Sequence, residues 1–385
     1  MRLAHLADLH LGFRQYERAN PKGANQREAD VALALSRAVD GVLEARPDAV
    51  LVAGDVFHQI QPRNASIMRL FAELQRIRAG LPAAEIVLIA GDHDTPRSSE
   101  ASSILGLYRA LGARVVERDI EPVELRGGLR VLAVPKARAR ALKDYAPAPG
   151  DVLLLHGEVR NVPGAQLERA CLEHAAWAYV ALGHWHVCEQ IASRAWYAGS
   201  LDYVSTDPWD ELRTQQVRNI PGKGWLLVDL GDGEPRVEFR PIEPPRRFVD
   251  LPLIDGELMG APELDAAIAA AAIGIEGAVV RQVVLNVSRE THRALDHRAI
   301  AGLKASALHY GLDVRRPAWQ APTPEGRAER RKRLDEIVDE FLVGRELPAD
   351  VDREALRRLG QHYLAAGAGG AELESAQGDG GSGQG

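Results

Sequence analysis

Short apolar runs alternate with amphipathic stretches over the first 240 residues of the chain. Residues 2–7, 48–53, 85–90, 151–155 and 177–182 are almost wholly apolar, which is typical of buried strands. Between the first three runs, residues 27–45 and 63–79 repeat apolar side chains at spacings of three and four, which predicts amphipathic helices. The pattern predicts a layered α/β domain.

Further strand-like runs lie closer together, in 115–134 and in 187–239. Glycine-rich turns such as Arg126-Gly127-Gly128 separate them. Because turns of this kind join neighbouring strands, we expect more antiparallel pairing in these two stretches.

Proline clusters divide the rest of the chain. The proline-rich stretch 241–252 predicts a boundary after a first domain, 1–240. A helix over 262–272, a strand over 278–287 and a helix over 295–309 predict an α+β domain, 241–317. A second proline-containing break precedes a helical region, 318–366, with Thr323 as an N-cap. The remaining residues, 367–385, are rich in Gly, Ala, Ser and Gln and predict a disordered tail.

Composition narrows the class of protein. The chain has 385 residues, of which 46% are hydrophobic and 26% charged, so we expect a folded protein. Its formal charge of -7 gives no overall cationic field for nucleic acid. The two cysteines, Cys171 and Cys188, are too few for a disulfide framework and indicate a reducing compartment, the cytoplasm. No run of 18 apolar residues predicts a membrane span.

Acidic and histidine side chains follow five of the strand-like runs. The carboxyl ends of strands in an open α/β sheet face one crevice, so these side chains can converge. Six of the twelve histidines of the chain belong to this group. Its members are Asp8, His10, Asp55, His58, Asp92, His93, Asp94, His156, His184 and His186.

The donor types indicate metal chemistry. Imidazole and carboxylate without cysteine favour manganese, iron or zinc. Two ions fit the number of ligands if one carboxylate bridges them. Such a pair activates water and stabilises in-line displacement at phosphorus, so we expect phosphoester hydrolysis.

Five motifs carry a resemblance to a known family: DLH at 8–10, GDVFH at 54–58, GDHD at 91–94, His156 and GHWH at 183–186. Together they resemble the motifs of calcineurin-like metallophosphoesterases. HLADLHLG at 5–12 and YAGS at 197–200 are similar to the SbcD and meiotic-recombination type of DNA repair nuclease. The resemblance covers about 1–240. It implies a layered α/β/β/α metallophosphoesterase sandwich with a small α+β capping domain, 241–317, and C-terminal helices.

The resemblance also implies roles for individual residues. One ion would be held by Asp8, His10, Asp55 and His186, and the other by Asp55, Asp92, His156 and His184, both ions being Mn²⁺. Asp55 would bridge them. His93 would contact the scissile phosphate and help the leaving oxygen depart. His58 would place a DNA end, and Asp94 could orient His93 through its second ring nitrogen.

The function implied is that of a two-metal DNA nuclease subunit in double-strand-break repair, with exonuclease and endonuclease action on duplex ends and single strands. Its partners would be an SbcC-type coiled-coil ATPase, bound through 320–366, and a second copy of the chain, bound through helices 63–79 and 99–111. Both apolar surfaces could instead be covered within the chain. Two alternative functions stay open: hydrolysis of small phosphodiesters or phosphomonoesters, and a catalytically weak scaffold for DNA ends.

One position departs from the family pattern. The third motif of the family usually carries Asn where this chain has Asp92. A carboxylate adds negative charge, which should weaken the Lewis acidity of the second ion and tighten its retention. We therefore expect Asp92→Asn to raise manganese-dependent turnover.

Overall fold

The computed structural model describes residues 1–98, 102–160, 167–220, 222–317 and 352–359. The chain divides into two compact units, Met1–Pro317 and Ala318–Gly385. In the second unit, a helix over 353–359 begins after Asp352, whose side chain accepts hydrogen bonds from the backbone N–H groups of Glu354 and Ala355. The predicted helix after Thr323 and the tail 367–385 lie outside the described residues. No helix in the described part is long and apolar enough to cross a membrane.

The first unit combines strands and helices throughout. Its strands are β1 (Arg2–Leu6), β2 (Ala49–Val52), β3 (Glu85–Ile89), β4 (Arg114–Val116), β5 (Glu121–Glu124), β6 (Arg130–Val134), β7 (Asp151–His156), β8 (Val159–Arg160), β9 (Leu167–Glu168), β10 (Trp177–Gly183), β11 (Glu189–Ala192), β12 (Ala195–Tyr197), β13 (Gly224–Asp229), β14 (Arg236–Pro241), β15 (Phe248–Asp250), β16 (Ile254–Asp255), β17 (Val279–Leu285) and β18 (His309–Val314). Its α-helices are α1 (Gln26–Ala45), α2 (Asn64–Gly80), α3 (Arg169–Leu172), α4 (Pro208–Val217), α5 (Ala261–Ala271), α6 (Arg289–Arg293) and α7 (His297–Ser306). Two 3-10 helices span Ile104–Leu111 and Lys136–Asp144.

Two six-stranded sheets form the centre of the fold, with orders β14-β13-β1-β2-β3-β4 and β11-β12-β10-β7-β6-β5. Strands β1 to β4 pair in parallel, and so do β6, β7, β10 and β12. Antiparallel pairs join β5 to β6, β11 to β12, and β13 to β14. The expected hairpins therefore lie at the sheet edges, while the middle of the second sheet is parallel.

The sheets pack face to face and helices cover their outer faces. Leu51 and Val87 of the first sheet share a buried cluster with Leu154 and Tyr179 of the second. The other face of the first sheet packs on α1 and α2. The other face of the second sheet packs on the 3-10 helix Lys136–Asp144 and on α3. This confirms the predicted layered α/β/β/α fold class.

Helix α1 illustrates how the sequence sets these layers. The Asn25 side chain caps its start by accepting hydrogen bonds from the backbone N–H groups of Arg27 and Glu28. The predicted apolar stripe is buried against the first sheet, with Val31 and Val42 at most 1% exposed. Helix α1 therefore covers one face of this sheet.

A third sheet follows the proline-rich stretch, with β17 between β18 on one side and β15 and β16 on the other. The helix predicted over 295–309 is wrong in extent. Asp296 caps α7, so that helix starts at His297, and the chain extends into β18 after Ala307. Residues 1–240 and 241–317 lie within one compact unit. The division at residue 240 therefore stays a prediction.

Candidate metal centre

The predicted ligands lie where strands of both sheets end. Asp8, Asp55 and Asp92 follow β1, β2 and β3 of the first sheet. His156 is the last residue of β7, and His184 follows β10. The two sheets pack face to face, so their carboxyl ends form the two sides of one crevice.

Backbone hydrogen bonds join the loop after β1 to the loop after β2. The N–H of Asp8 donates to the carbonyl of Gly54 at 3.1 Å, and that of His10 donates to the carbonyl of Asp55 at 2.9 Å. Asp8, His10, Asp55 and His184 have φ angles of 51°, 44°, 49° and 108°. These four residues therefore adopt a left-handed backbone conformation, which is rare for residues other than glycine.

Two glycines let the strand ends approach one another. Gly54 has a φ of 84°, and a Cβ there would lie 2.5 Å from the ring of His156. A Cβ on Gly183 would lie 1.9 Å from the carbonyl oxygen of Ala53. The glycines therefore provide space between the sheets as well as a sharp turn.

Among the described residues, candidate donor atoms form four overlapping groups; we call Asp8, His10 and His186 the first cluster and Asp92, His156 and His184 the second. Within each cluster the candidate ligand atoms lie within 4.8 Å of one another. In the first, the Nε2 atoms of His10 and His186 are 3.2 Å apart. In the second, Oδ2 of Asp92 is 3.1 Å from Nδ1 of His184 and 3.4 Å from Nε2 of His156.

Asp55 lies between the two clusters. Its Oδ2 atom is 3.6 Å from Nε2 of His10 and 3.6 Å from Nε2 of His156. Its other oxygen, Oδ1, accepts a hydrogen bond of 2.8 Å from the backbone N–H of His93. One carboxylate oxygen thus faces both clusters equally, which is the geometry a bridging ligand needs.

The donors fit divalent metal ions. Nδ1 of His156 faces the carbonyl of Ala53 at 2.7 Å, which leaves the Nε2 lone pair free. That Nε2 is buried and has no hydrogen-bond partner among the described residues. A buried nitrogen without a partner is rare, and a metal ion would satisfy it. Oxygen and nitrogen donors without sulfur suit manganese, iron or zinc.

The electrostatics also favour cations. Burial and the charge of Asp55 raise the pKa of the Asp8 carboxyl. Burial opposes a charge on His156, but Asp55 and Asp92 outweigh it and raise the pKa of His156 to about 9. Burial and neighbouring imidazoles hold the pKa of His10 well below its ordinary value. The clustered carboxylates thus draw positive charge into the site, and bound cations would supply it while leaving the imidazoles neutral.

His58 and His93 border the first cluster. Their rings stack with centroids 5.1 Å apart, and Nδ1 of His58 lies 3.3 Å from Nδ1 of His10. Burial and the neighbouring His93 lower the pKa of His58 to about 4. Nδ1 of His93 lies 2.8 Å from the carbonyl of His58, so this nitrogen carries the proton and donates it. The Nε2 atom of His93 is left to act on a substrate.

The role predicted for Asp94 is corrected by these contacts. The Asp94 carboxylate accepts hydrogen bonds from the backbone N–H groups of Val56, Phe57 and Gly91 at 3.0–3.1 Å. The carbonyl of His58 takes the place at His93 that we expected Asp94 to hold. Three buried N–H groups in one place outcompete a single imidazole for this carboxylate. Asp94 therefore fixes the loops rather than the ring of His93.

Three further charged residues belong to the site and were not predicted. Glu211 on α4 accepts from Nδ1 of His186 at 3.2 Å. Lys223 donates to Glu211 at 2.5 Å and to the carbonyl of His186 at 2.8 Å. Lys136, just after β6, donates to Asp92 at 2.6 Å. Of the three, only Lys136 could have been found from the sequence, because it also follows an apolar strand-like run.

Residues 1–188 match the Calcineurin-like phosphoesterase family. The match spans all five motifs, from Asp8 to His186, so the resemblance predicted from them is confirmed. The family match and the donor set both fit the class of metal-dependent phosphoesterases.

Relatives give a finer comparison. The chain is similar to the "DNA double-strand break repair protein Mre11" of Sulfurisphaera tokodaii, with 27% identity over 64% of this chain and 64% of the relative. It is 33% identical to the Mre11 protein of Methanococcus maripaludis, over 60% of this chain and 63% of the relative. It is 29% identical to the Mre11 protein of Haloferax volcanii, over 66% of this chain and 56% of the relative. The chain thus spans less than two thirds of the length of these relatives.

Proposed function

We propose that the chain is a two-metal DNA nuclease subunit that cleaves phosphodiester bonds in double-strand-break repair. The proposal rests on one observation above all: Oδ2 of Asp55 lies 3.6 Å from donor nitrogens of both clusters. A site of this form suits two ions that share a ligand. The names of the relatives support DNA as the substrate.

The residues would divide the work as follows. Asp8, His10, Asp55 and His186 would hold one ion, and Asp55, Asp92, His156 and His184 the other, with Mn²⁺ as the proposed metal. When bound, two such ions activate water and stabilise the charge that develops at phosphorus. His93, when both ring nitrogens carry a proton, would give the one on Nε2 to the leaving oxygen, while its Nδ1–H stays hydrogen-bonded to the carbonyl of His58.

His58 would position the DNA end from its place beside His10 and His93. The pKa of His58 is lowered to about 4 by burial and by His93, which keeps the ring neutral at pH 7. A neutral ring adds no charge to the crevice and can still donate or accept a hydrogen bond. Its proposed role is therefore steric and orienting, which suits exonuclease rather than endonuclease work.

A cleavage experiment tests the proposal. End-labelled duplex and single-stranded DNA are incubated with the full chain in Mn²⁺, with and without chelator. We expect cleavage that chelator abolishes and that His93→Ala lowers at least 100-fold, the usual contribution of a general acid. His292→Ala, an exposed histidine on α6, is the matched control and should keep full activity. Cleavage in chelator, or full activity of His93→Ala, would contradict the proposal.

The same assay separates the two alternatives. Hydrolysis of a small phosphodiester without cleavage of DNA would favour a small-molecule phosphoesterase. The 77 residues of 241–317, a domain-sized addition, argue against it. DNA-end binding with no hydrolysis in any divalent metal would favour the scaffold, to which Asp92 lends weight because its charge reduces Lewis acidity.

The proposed partners are an SbcC-type ATPase, bound through 320–366, and a second copy of the chain. Met68 on α2 and Leu107 on the 3-10 helix Ile104–Leu111 are 62% and 55% exposed. These two helices touch, since the Tyr108 hydroxyl donates to the carbonyl of Ile67. Sedimentation velocity should show a dimer that Met68→Glu weakens and that Leu258→Glu, at a position 95% exposed elsewhere, does not. For the ATPase, deletion of 320–366 should abolish co-elution, and equal binding without this segment would contradict the assignment.

A further inference from the structure

Lys136 brings an ammonium group to the second cluster of predicted ligands. Its Nζ lies 2.6 Å from Oδ2 of Asp92, the oxygen that also faces His156 and His184. The Lys136 side chain is 17% exposed, whereas that of Asp92 is 37% exposed. The pair therefore sits at the wall of the crevice, and the ammonium is the more enclosed of the two groups.

The backbone fixes Lys136 in this place. Its N–H donates to the carbonyl of Ala90 at 3.0 Å, which joins the start of the 3-10 helix Lys136–Asp144 to the end of β3. Asp92 lies two residues beyond Ala90. The ammonium and the carboxylate thus start from adjoining backbone, so their contact needs little ordering of a long free side chain.

The charges of the two clusters explain why a cation is placed here. Asp8 and Asp55 are each at most 3% exposed, and Asp92 adds a third carboxylate to the same crevice. Lys223 also reaches the centre, but its Nζ is 2.5 Å from Glu211, so their charges cancel. Within the described part of the chain, Asp92 is the carboxylate that pairs with Lys136, so the charge of Lys136 acts there.

We propose that Lys136 is a charge-compensating residue that sets how tightly the cluster of Asp92, His156 and His184 holds a divalent ion. The inference rests on the proposed metal centre. Asp92 and Lys136 together carry no net charge, so the pair matches in charge the neutral asparagine expected at position 92 from the family pattern. Lys136 repels a divalent ion and so offsets part of the attraction of the added carboxylate, which as a ligand would lie nearer to the ion.

Mn²⁺ titration by calorimetry on the metal-stripped full chain tests the inference. Every variant also carries His186→Ala, which removes a ligand of the first cluster so that the titration reports the second. Lys136→Met should tighten binding about tenfold, the order expected when one charge is removed beside a divalent ion in a partly exposed site. Lys136→Arg keeps the charge and should stay within about twofold of the parent. Lys143→Met, exposed on the same 3-10 helix, is the control and should leave binding unchanged.

The asparagine variants complete a double-mutant cycle. Asp92→Asn should loosen binding, because the charge of Lys136 is then unopposed. Adding Lys136→Met to Asp92→Asn should restore affinity. Thermal unfolding of each variant in chelator verifies that the fold is retained.

The outcomes separate this inference from the proposed function. Weaker Mn²⁺ binding by Lys136→Met, or an equal change with Lys136→Arg, would overturn it, since Lys136 would then support the loop by shape alone. Unchanged binding by Lys136→Met would overturn it as well. If the chain without substitutions binds no Mn²⁺, the proposed metal centre fails, and the inference fails with it.

Discussion

Replacement of Asp94 by alanine separates a structural role from a catalytic one. Oδ2 of Asp94 accepts from the N–H groups of Val56 and Gly91, and Oδ1 accepts from that of Phe57. Asp94 is 1% exposed, so water cannot readily replace it. Asp94→Ala therefore leaves three N–H groups of the loops after β2 and β3 without their acceptor.

The change in the free energy of unfolding for Asp94→Ala has two opposing parts. An unsatisfied buried N–H costs about 1–3 kcal/mol, or about 6 kcal/mol for three at the middle of that range. Burial and the charge of Asp55 raise the pKa of Asp94 to about 6, so its ionised form is itself unfavourable at pH 7. Removing that charge stabilises the folded state by about 3 kcal/mol, which offsets half of the cost of the three N–H groups. We therefore expect Asp94→Ala to lower the free energy of unfolding by about 3 kcal/mol.

Urea unfolding at pH 7 in chelator measures this change without any contribution from metal. The matched control is Asp119→Ala, which removes an exposed carboxylate paired with Arg138 and should change stability by less than about 1 kcal/mol. If Asp94→Ala unfolds like the parent but has lost DNA cleavage, the loops do not depend on Asp94 and the orienting role at His93 regains support.

Three further predictions concern the surroundings of the site. Lys223→Met leaves the largely buried Glu211 without its cation and should lower the free energy of unfolding by about 3 kcal/mol in urea titrations, whereas Lys223→Arg should lower it less. Burial lowers the pKa of His5 to about 3, from 6.5 in the unfolded chain. Below pH 6.5 the unfolded chain therefore binds a proton that the folded chain does not, and the free energy of unfolding falls as the pH falls towards 3. Between pH 7 and pH 4 the parent should therefore lose about 3 kcal/mol more stability than His5→Gln, and parallel losses would contradict the shift. Gly183→Ala should cost about 3 kcal/mol or more because its Cβ meets the carbonyl of Ala53, while Gly231→Ala, with open space around it, should change the melting temperature little.

The layered fold and the candidate ligands could be predicted because both depend on patterns within short stretches of the sequence. Apolar runs mark the strands, and a ligand such as Asp8 or His156 stands at the end of its run. Parallel strands then bring these ends together without any knowledge of packing. Five strand ends were enough to predict the crevice and its donor types.

The supporting residues could not be predicted in the same way. Glu211 reaches His186 from α4, and Lys223 precedes β13, so their meeting depends on how distant segments pack. The partners of Asp94 are backbone N–H groups, which the sequence does not distinguish. Strand β18 follows α7 after only two residues, so the helical pattern masked the change to extended chain.

The left-handed backbone at Asp8, His10, Asp55 and His184 limits how this chain can be stabilised. Each such residue costs on the order of 1 kcal/mol of backbone strain relative to glycine, but glycine at Asp55 would also remove the acceptor of the His93 N–H. Efforts to engineer a more robust variant should hold these four positions fixed and seek gains on exposed helix faces instead.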